Sequence, residues 1–401
     1  MARAKSNLSI SEFSERLCAD ALGADIGRVA CKFVHSMLLG ISRARSVNLT
    51  DIAAGLDESI RLHATHKRLS RNLEDPALSA DLSDRLLKLG AEQVGPDTRL
   101  IIHLYDLNKK YANKIEFLSK SADLPDAGFK VCEILASETG SNSYIPLLAH
   151  VWSDQVPGYA SDADEVRKSV LRVQAATNNR GMFYVDDHSL HIRLLSEVMD
   201  EPNLDYISLV RGNELELLYK NECCSVLDLL ERVETRYGKI IYKLVPEGIV
   251  GVSKIDLDLF AHVGAASVKL LPSNRPGSFI ALKTDSSYLG ENATPIITSK
   301  VNLRSRKALM GLVDAFLSIQ DIVETHQTRR DSFNPANFRV LTYHRLQLLM
   351  TLLEAVIHYE VSVQGNVLIQ DRRFAPKPHD GEVDRTYLLP EEHKAAKAGH
   401  G

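Results

Sequence analysis

Two patterns of apolar residues divide the chain into a helical first part and a mixed remainder. Up to about residue 95, apolar residues recur at intervals of three and four, as between Val29 and Ile41, and this spacing predicts amphipathic helices. From about residue 99, compact apolar runs such as RLIIHLYDL, GFKVCEILAS and YIPLLAHVWS predict buried strands. The stretch ADEVRKSVLRVQAAT predicts a helix that follows them. Strands interspersed with helices indicate an α/β architecture.

The later part of the chain predicts a β-rich insertion followed by helices. Short β-like runs predominate from about residue 214, and helices are predicted at about 304–330 and 340–365. The end of the chain is rich in proline, charge and small residues, a composition typical of disorder. We therefore expect five parts: a helical domain at 1–95, the first part of a core at 96–213, a β-rich insertion at 214–295, the helical end of the core at 296–368, and a disordered tail at 369–401.

The segment SVNLTDIAAGLDESIRLHATHKRLSRNL has the layout of a helix-turn-helix over about 49–73. A short helix is predicted to begin near Thr50, which can cap it, and Gly55 with Asp57 marks a break. The second helix, from about Ser59 to Leu73, is basic, and in this motif the second helix enters the major groove of DNA. A solvated face in a small helical bundle is the alternative interpretation. The candidate DNA contacts are Arg61, His66, Lys67, Arg68 and Arg71.

Composition limits the possible functions. The 401 residues are 44% apolar and 25% charged, as in ordinary globular proteins. The five cysteines form no C-x-x-C pair, which argues against a zinc site or a disulfide framework and favours a reducing cytoplasm. No apolar run predicts a signal peptide or a membrane span. The net charge of −4 argues against general affinity for nucleic acid, so any DNA binding must rest on local basic patches.

Three acidic positions are candidates for divalent-metal chemistry. Asp106 follows the first predicted strand, Asp186 follows a later one, and Glu324 lies in a late helix. Carboxylates at strand ends suit Mg²⁺, which prefers hard oxygen ligands, and a pair of such ions can cleave a phosphodiester. The alternative is that these acids are ordinary surface residues.

Taken together, several segments resemble the catalytic motifs of the DDE-type transposases of bacterial insertion sequences. LIIHLYDLNKKYANKIEFL resembles the first motif, and NNRGMFYVDDHSLHIRLL resembles the second. The segment from PIITSKV to LTYHRL resembles the third, with Phe338, Arg339 and Val340 as its closing triplet. The resemblance covers roughly residues 25 to 365 and rests on the order and spacing of the motifs.

The resemblance implies a fold and a function. The fold would be a helical N-terminal DNA-binding domain and a ribonuclease-H-like core with a β-rich insertion. The function would be DNA cutting and joining with Mg²⁺ or Mn²⁺ as cofactor. The partner would be double-stranded DNA, at inverted-repeat ends, bound by at least a homodimer in the bacterial cytoplasm at the nucleoid. Lys110 and Arg330 would contact phosphate.

The first two motifs depart from the family pattern. With Lys109 placed on the family's lysine, His103 stands at the first catalytic aspartate. Asp106 then matches an accompanying aspartate that is not the metal ligand. Asp186 falls on the second catalytic aspartate, although the two residues after it differ from the family's Arg-Gly.

The third motif departs as well. Anchored on the triplet at 338–340, the alignment puts Val323 at the catalytic glutamate and Glu324 one residue late. One step along a helix turns a side chain by about 100°, so Glu324 does not simply replace Val323. By this alignment only Asp186 survives of the three catalytic carboxylates.

These departures leave five hypotheses. The chain is a transposase with impaired catalysis, a non-catalytic regulator, inhibitor or domesticated DNA-binding relative, or a decayed copy with no function. A local bulge or a rotated helix could instead bring Asp106, Asp186 and Glu324 together, with Asp106 and Asp186 holding metal. The fifth hypothesis is an interaction protein with no role on DNA, which is favoured if the basic residues at 61–71 share no exposed face.

Overall fold

The structure is a computed structural model that describes most of the chain. The described residues are 9–23, 26–109, 114–119, 128–141, 143–185, 198, 203–210, 215–246, 254–284, 293–362 and 387–388. They fall into two compact units, the first made of residues 1–204 and 318–373 and the second of 205–317 and 374–401. Among these residues, no helix is both long enough and apolar enough to cross a membrane.

Five helices open the first unit, as the apolar spacing predicts. They are α1 (Ile10–Cys18), α2 (Arg28–Ala44), α3 (Leu49–Gly55), α4 (Leu62–Asn72) and α5 (Pro76–Ala91), with a 3₁₀ turn at Asp20–Leu22. Three of the five, α1, α3 and α5, have a capping side chain: Ser9 and Glu12 form a capping box before α1, and Asp75 caps α5 ahead of its initial proline. The cap of α3 is Asn48, whose side chain accepts the Thr50 backbone N–H at 3.0 Å. The prediction that Thr50 caps this helix is therefore wrong by two residues.

A four-stranded sheet forms the centre of the first unit. Its strands are β1 (Thr98–Asn108), β2 (Gly128–Glu138), β3 (Tyr144–Trp152) and β4 (Met182–Val185), with α6 (Asp162–Ala176) between the last two in sequence. They lie in the order β3-β2-β1-β4; β2 is antiparallel to both β1 and β3, and β4 is parallel to β1. The α/β architecture predicted from the apolar runs is confirmed for this unit.

Two helices from the end of the chain complete this unit. They are α9 (Ile319–Asp331) and α10 (Tyr343–Ser362), joined through a 3₁₀ turn at Pro335–Asn337. Helix α10 is buried along most of its length and packs on α2, α5 and β3. Apolar side chains of α1 to α5, the sheet and α10 share one hydrophobic core. The helices of residues 1–95 thus fold against the sheet and the C-terminal helix, while the five domain ranges expected from the sequence stay predictions.

The second unit is dominated by β-strands, as the sequence predicts for this region. In chain order it contains β5 (Tyr206–Leu209), β6 (Glu216–Tyr219), β7 (Glu222–Ser225), α7 (Val226–Arg232), β8 (Tyr237–Pro246), β9 (Lys254–Leu270), β10 (Arg275–Thr284), β11 (Ala293–Thr298), α8 (Arg306–Leu317) and β12 (Tyr387–Leu388). The pairing order is β5-β11-β10-β9-β8-β12, and a short hairpin of β6 and β7 pairs with β9. Apart from β12, the tail predicted to be disordered lies outside the described residues.

A buried histidine in α10 predicts how the stability of the protein depends on pH. His358 is 1% exposed, and its Nδ1–H donates to the Pro146 carbonyl at 3.0 Å. Burial lowers the pKa of His358 to about 4, below its value in an unfolded chain. Between about pH 6.5 and about pH 4, His358 is therefore protonated in the unfolded state but neutral in the folded state. The stability due to neutral His358 is full above about pH 6.5 and is lost as the pH falls toward about 4, by about 3 kcal/mol.

We expect His358→Gln to flatten this acid limb. Glutamine can still donate to Pro146 but does not titrate. Denaturant unfolding at about pH 7 and about pH 4.5 should show a loss of stability that is smaller in the variant by about 2 kcal/mol. Equal losses in the two proteins would contradict the assignment.

Candidate functional site

The segments that resemble the three catalytic motifs meet in the first unit. β1 comes from the first motif and β4 from the second, and Ile102 of β1 pairs in parallel with Val185 of β4. Helix α9 comes from the third motif, and its Gln327 side-chain nitrogen lies 3.1 Å from Nε2 of His103 on β1. Asp186, the residue after Val185, lies outside the described residues. The structure therefore brings two strands and one helix of widely separated sequence to one place.

Lys109 connects the first motif to the closing triplet of the third. Its ammonium group donates to the carbonyl oxygens of Ala336 and Phe338, and it lies 4.6 Å from the centre of the Phe338 ring. Burial, followed by the charge of Arg339, lowers the pKa of Lys109. The lysine used to align the motif thus has a structural role, in which it holds the segment after β1 against the segment after α9. The neighbouring Lys110, a predicted phosphate contact, lies outside the described residues.

A buried carboxylate, Glu133 on β2, lies at the centre of the contact between the sheet and α9. One of its oxygens, Oε2, is 2.9 Å from Nε2 of His326 and 3.0 Å from a terminal nitrogen of Arg330. The Arg330 guanidinium also stacks 3.5 Å above the centre of the Tyr105 ring. Burial alone would raise the pKa of Glu133, but the charges of His326 and Arg330 outweigh it and hold that pKa well below its usual range. Glu133 is therefore a carboxylate in the folded protein.

A second buried acid, Glu354 on α10, belongs to the same cluster. It is 3% exposed, and one ligand atom from each of Glu133, His326 and Glu354 lies within 4.8 Å of the others. Burial, together with the charge of Glu133, raises the pKa of Glu354 well above its ordinary value. In the absence of another cation, the pair therefore carries one negative charge and one proton.

Asp106 and Glu324, two of the acids predicted from the sequence, do not belong to this cluster. Asp106 is exposed on β1, three residues from buried His103, so the two side chains leave opposite faces of the sheet. Glu324 is exposed on α9, where its carboxylate accepts the Gln320 amide at 3.4 Å. The metal-capable group found among the described residues contains neither Asp106 nor Glu324. How Asp186 relates to them lies outside the described residues.

Two positions that the resemblance assigns to catalysis do not suit Mg²⁺. His103 is 7% exposed and offers an imidazole, which is a poor ligand for Mg²⁺. Half-buried Val323 precedes Gln327 by one helical turn and so lies on the side of α9 that faces His103, but its side chain has no ligand atom. Position 323, and not 324, therefore shares with Gln327 the face of α9 that is turned toward His103.

The basic residues predicted to contact DNA share one face of α4 only in part. Lys67 and Arg71 are exposed and one turn apart, with exposed His63 one turn before them. His66 is half-buried, and buried Thr65 and Leu69 mark the opposite side. The exposed face is therefore basic, as the helix-turn-helix hypothesis requires, but the motif itself stays a prediction.

Two of the predicted cations, Arg68 and Arg330, are engaged within the chain. Arg61 is exposed and immediately precedes α4 as its N-terminal cap residue, without a capping hydrogen bond from its side chain. Arg68 forms an ion pair with Glu58 at 2.6 Å, so its charge is balanced within the chain. Arg330 is 6% exposed and engaged with Glu133, so it presents no exposed head to a DNA phosphate in this structure.

The central residues of the site were missed by the sequence analysis. Glu133 lies inside the apolar run GFKVCEILAS, and Glu354 lies inside the apolar stretch LLMTLLEAVIHY. A charged residue inside an apolar run is itself informative, because a buried charge requires a partner. The partner, however, comes from a helix almost two hundred positions later in the chain, at His326 and Arg330.

Comparisons with known proteins give no family for the chain. No family model matches it, and no curated protein matches it. Among solved structures, it is similar to a piggyBac transposase, described in a cryo-EM structure of the synaptic complex with hairpin DNA. That similarity has 10% sequence identity and a TM-score of 0.49, and it covers 92% of this chain and 77% of that chain.

Removal of the Arg330 charge should destabilise the protein strongly. Arg330→Met keeps much of the side-chain volume but leaves the Glu133 carboxylate buried with one cationic neighbour fewer. Breaking a buried ion pair in this way costs about 3 to 5 kcal/mol. Denaturant unfolding should show this loss, whereas the same change at exposed Arg71 should alter stability by less than about 0.5 kcal/mol. Similar midpoints for the two variants would contradict the described role of Arg330.

Proposed function

We propose that the chain is a transposase-like DNA-binding protein with an impaired nuclease centre. The observation that carries the proposal is the meeting of the three motif-like segments around His103. Segments that resembled the motifs only by chance would have no reason to converge. Instead, β1 and β4 are adjacent, α9 packs on β1 through Gln327, and Lys109 reaches Phe338. The mixed sheet and the β-rich second unit also support the predicted core and insertion, whose ribonuclease-H-like form stays a prediction.

The impairment follows from the kinds of metal-ligand atoms that are available around His103. His103 and Val323 occupy two positions where the family has carboxylates, and neither suits Mg²⁺. Asp106 and Glu324, which could have substituted for them, are exposed on other faces of their elements. Of the predicted catalytic acids, only Asp186 keeps its place in the motif.

Double-stranded DNA is the partner that the exposed face of α4 supports best. His63, Lys67 and Arg71 lie one helical turn apart along this face. A helix placed with this face in the major groove would turn all three toward the DNA. With a net charge of −4, the chain has no general attraction for DNA, so this face must supply most of it. Inverted-repeat ends, a homodimer on DNA and a bacterial cytoplasmic location complete the proposal.

The second candidate function is a non-catalytic regulator or inhibitor that binds the same DNA. The burial of Arg330 favours it, because the residue that would contact phosphate is used to hold α9 on the sheet. The two candidates differ in the role of Asp186. In a metal-free buffer a pure DNA-binding protein should lose no affinity on Asp186→Ala.

Substitution of the exposed cations of α4, together with Arg61 immediately before it, should weaken DNA binding. We expect Arg61→Ala, Lys67→Ala and Arg71→Ala together to lower the affinity for labelled random duplexes of about 30 base pairs. If each cation neutralises one phosphate, the slope of log K against log salt should fall by about 3. Fluorescence anisotropy over a range of salt concentrations measures both effects.

A matched variant makes this test specific. Arg236→Ala, Arg304→Ala and Lys307→Ala change the net charge by the same amount, but these exposed residues belong to the second unit. This control should bind DNA with nearly the affinity of the wild type. Equal losses in the two triple variants, or no DNA binding by the wild type, would contradict the proposed role of α4.

Restoration of the two missing acids should restore metal-dependent cleavage. The wild type should cleave DNA weakly or not at all with Mg²⁺ or Mn²⁺. His103→Asp combined with Val323→Glu puts carboxylates on β1 and on the face of α9 turned toward it, so cleavage of duplex DNA should rise at least about tenfold. A plasmid-nicking assay measures the difference.

Two further variants separate restored chemistry from an altered fold. His103→Asn with Val323→Gln has nearly the same shape but no added charge, and it should stay inactive. Asp186→Ala should abolish the gain in the His103→Asp, Val323→Glu background. Wild-type cleavage as fast as that of the double variant would show that the nuclease centre is not impaired.

A further inference from the structure

The strongest unexplained feature of the first unit is the cluster of Glu133, His326 and Glu354. These side chains come from three elements, β2, α9 and α10, and are 0%, 0% and 3% exposed. One ligand atom from each lies within 4.8 Å of the others. None of the three occupies a position that the motif resemblance assigns to catalysis.

Each of these side chains has a buried atom without a partner. Oε1 of Glu133, Nδ1 of His326 and Oε1 of Glu354 have no hydrogen-bond partner. An unpaired buried polar atom costs about 1 to 3 kcal/mol, and here three occur in one cluster. The contacts of His326 and Arg330 with Glu133 use only Oε2 of that carboxylate. Its second oxygen therefore remains available for a further ligand.

The charges of the cluster also favour a cation. Arg330 forms an ion pair with Glu133, whereas among the described residues no lysine, arginine or histidine forms an ion pair with Glu354. A carboxylate buried without a partner is very costly, so Glu354 must either keep a proton or share a bound cation. A divalent cation would bind both acids and would balance their negative charge.

We propose that Glu133, His326 and Glu354 form a buried site for one divalent transition-metal ion of the Zn²⁺ type. An imidazole with two carboxylates is a donor set that Zn²⁺ accepts, and the imidazole argues against Mg²⁺ or Ca²⁺. Tetrahedral Zn²⁺ with ligands at about 2.0 to 2.2 Å separates them by roughly 3.4 Å. The ligand atoms, already within 4.8 Å, need only a small movement to reach this separation.

The role of this site is structural. A metal at this place would join β2 to α9 and α10, which are distant in sequence, and its binding energy would add to the energy of folding. None of its three ligands is His103 or Val323, the positions that resemble the family's catalytic centre. The proposal therefore does not depend on the proposed function, and DNA binding or cleavage plays no part in its test.

Metal content provides the test. The full chain is treated with a chelator, incubated with Zn²⁺ or Mn²⁺, passed through gel filtration and analysed by mass spectrometry of its metals. We expect about one Zn²⁺ ion per wild-type chain. Glu354→Gln and His326→Gln should retain less than about a tenth of that amount. Glu15→Gln, which changes an exposed glutamate of α1, should bind as the wild type does.

A second measurement covers the case in which a variant fails to fold. Zn²⁺ should raise the Tm of the wild type, and a chelator should reverse the rise, because a ligand that binds only the folded state stabilises it. A wild-type chain with less than about a tenth of an ion and no change in Tm would overturn the proposal. Equal Zn²⁺ binding by folded Glu354→Gln would overturn it as well. Either result would mean that Glu354 keeps its proton and does not bind a metal ion.

Discussion

The structure of the site depends on the buried ion pair between Glu133 and Arg330. A buried pair adds little net stability, because both charges must leave water, but it requires one arrangement of its partners. His326 and Arg330 are one turn apart on α9 and reach the same carboxylate oxygen, while Gln327 reaches His103. A slip of α9 by one residue would turn these side chains by about 100° and leave Glu133 unpaired. The ion pair therefore sets the register of α9 on the sheet.

This register decides which residues can take part in chemistry beside β1. Since Gln327 faces His103, the position one turn earlier is Val323, and Glu324 points to solvent. In β1, successive side chains alternate between the two faces of the sheet, so buried His103 and exposed Asp106 lie on opposite faces. Asp106 and Glu324 are thus each turned away from the contact of His103 with Gln327 by the regular geometry of their own elements. A rotated helix that recruited Glu324 would have to break the ion pair with Arg330.

The sequence predicted the elements better than it predicted the site. The apolar run RLIIHLYDL predicted the bounds of β1 to within about one residue at each end, because a buried strand has a nearly continuous run of apolar side chains. The cap of α3 was misassigned because both Asn48 and Thr50 can cap, and only the backbone decides between them. Arg330 was predicted to contact phosphate on the strength of the family resemblance alone, but it is buried. Its burial depends on Glu133, which no local pattern connects to it.

The histidine at position 103 also has an electrostatic consequence for the ion pair. His103 lies directly opposite Glu133 in the pairing of β1 with β2, and its charge contributes to the low pKa of that carboxylate. An aspartate at 103 would instead put a second negative charge across the strand from Glu133, and like charges at such positions are destabilising. Histidine at position 103 therefore favours the buried ion pair of Glu133 and Arg330, which fixes α9 on the sheet.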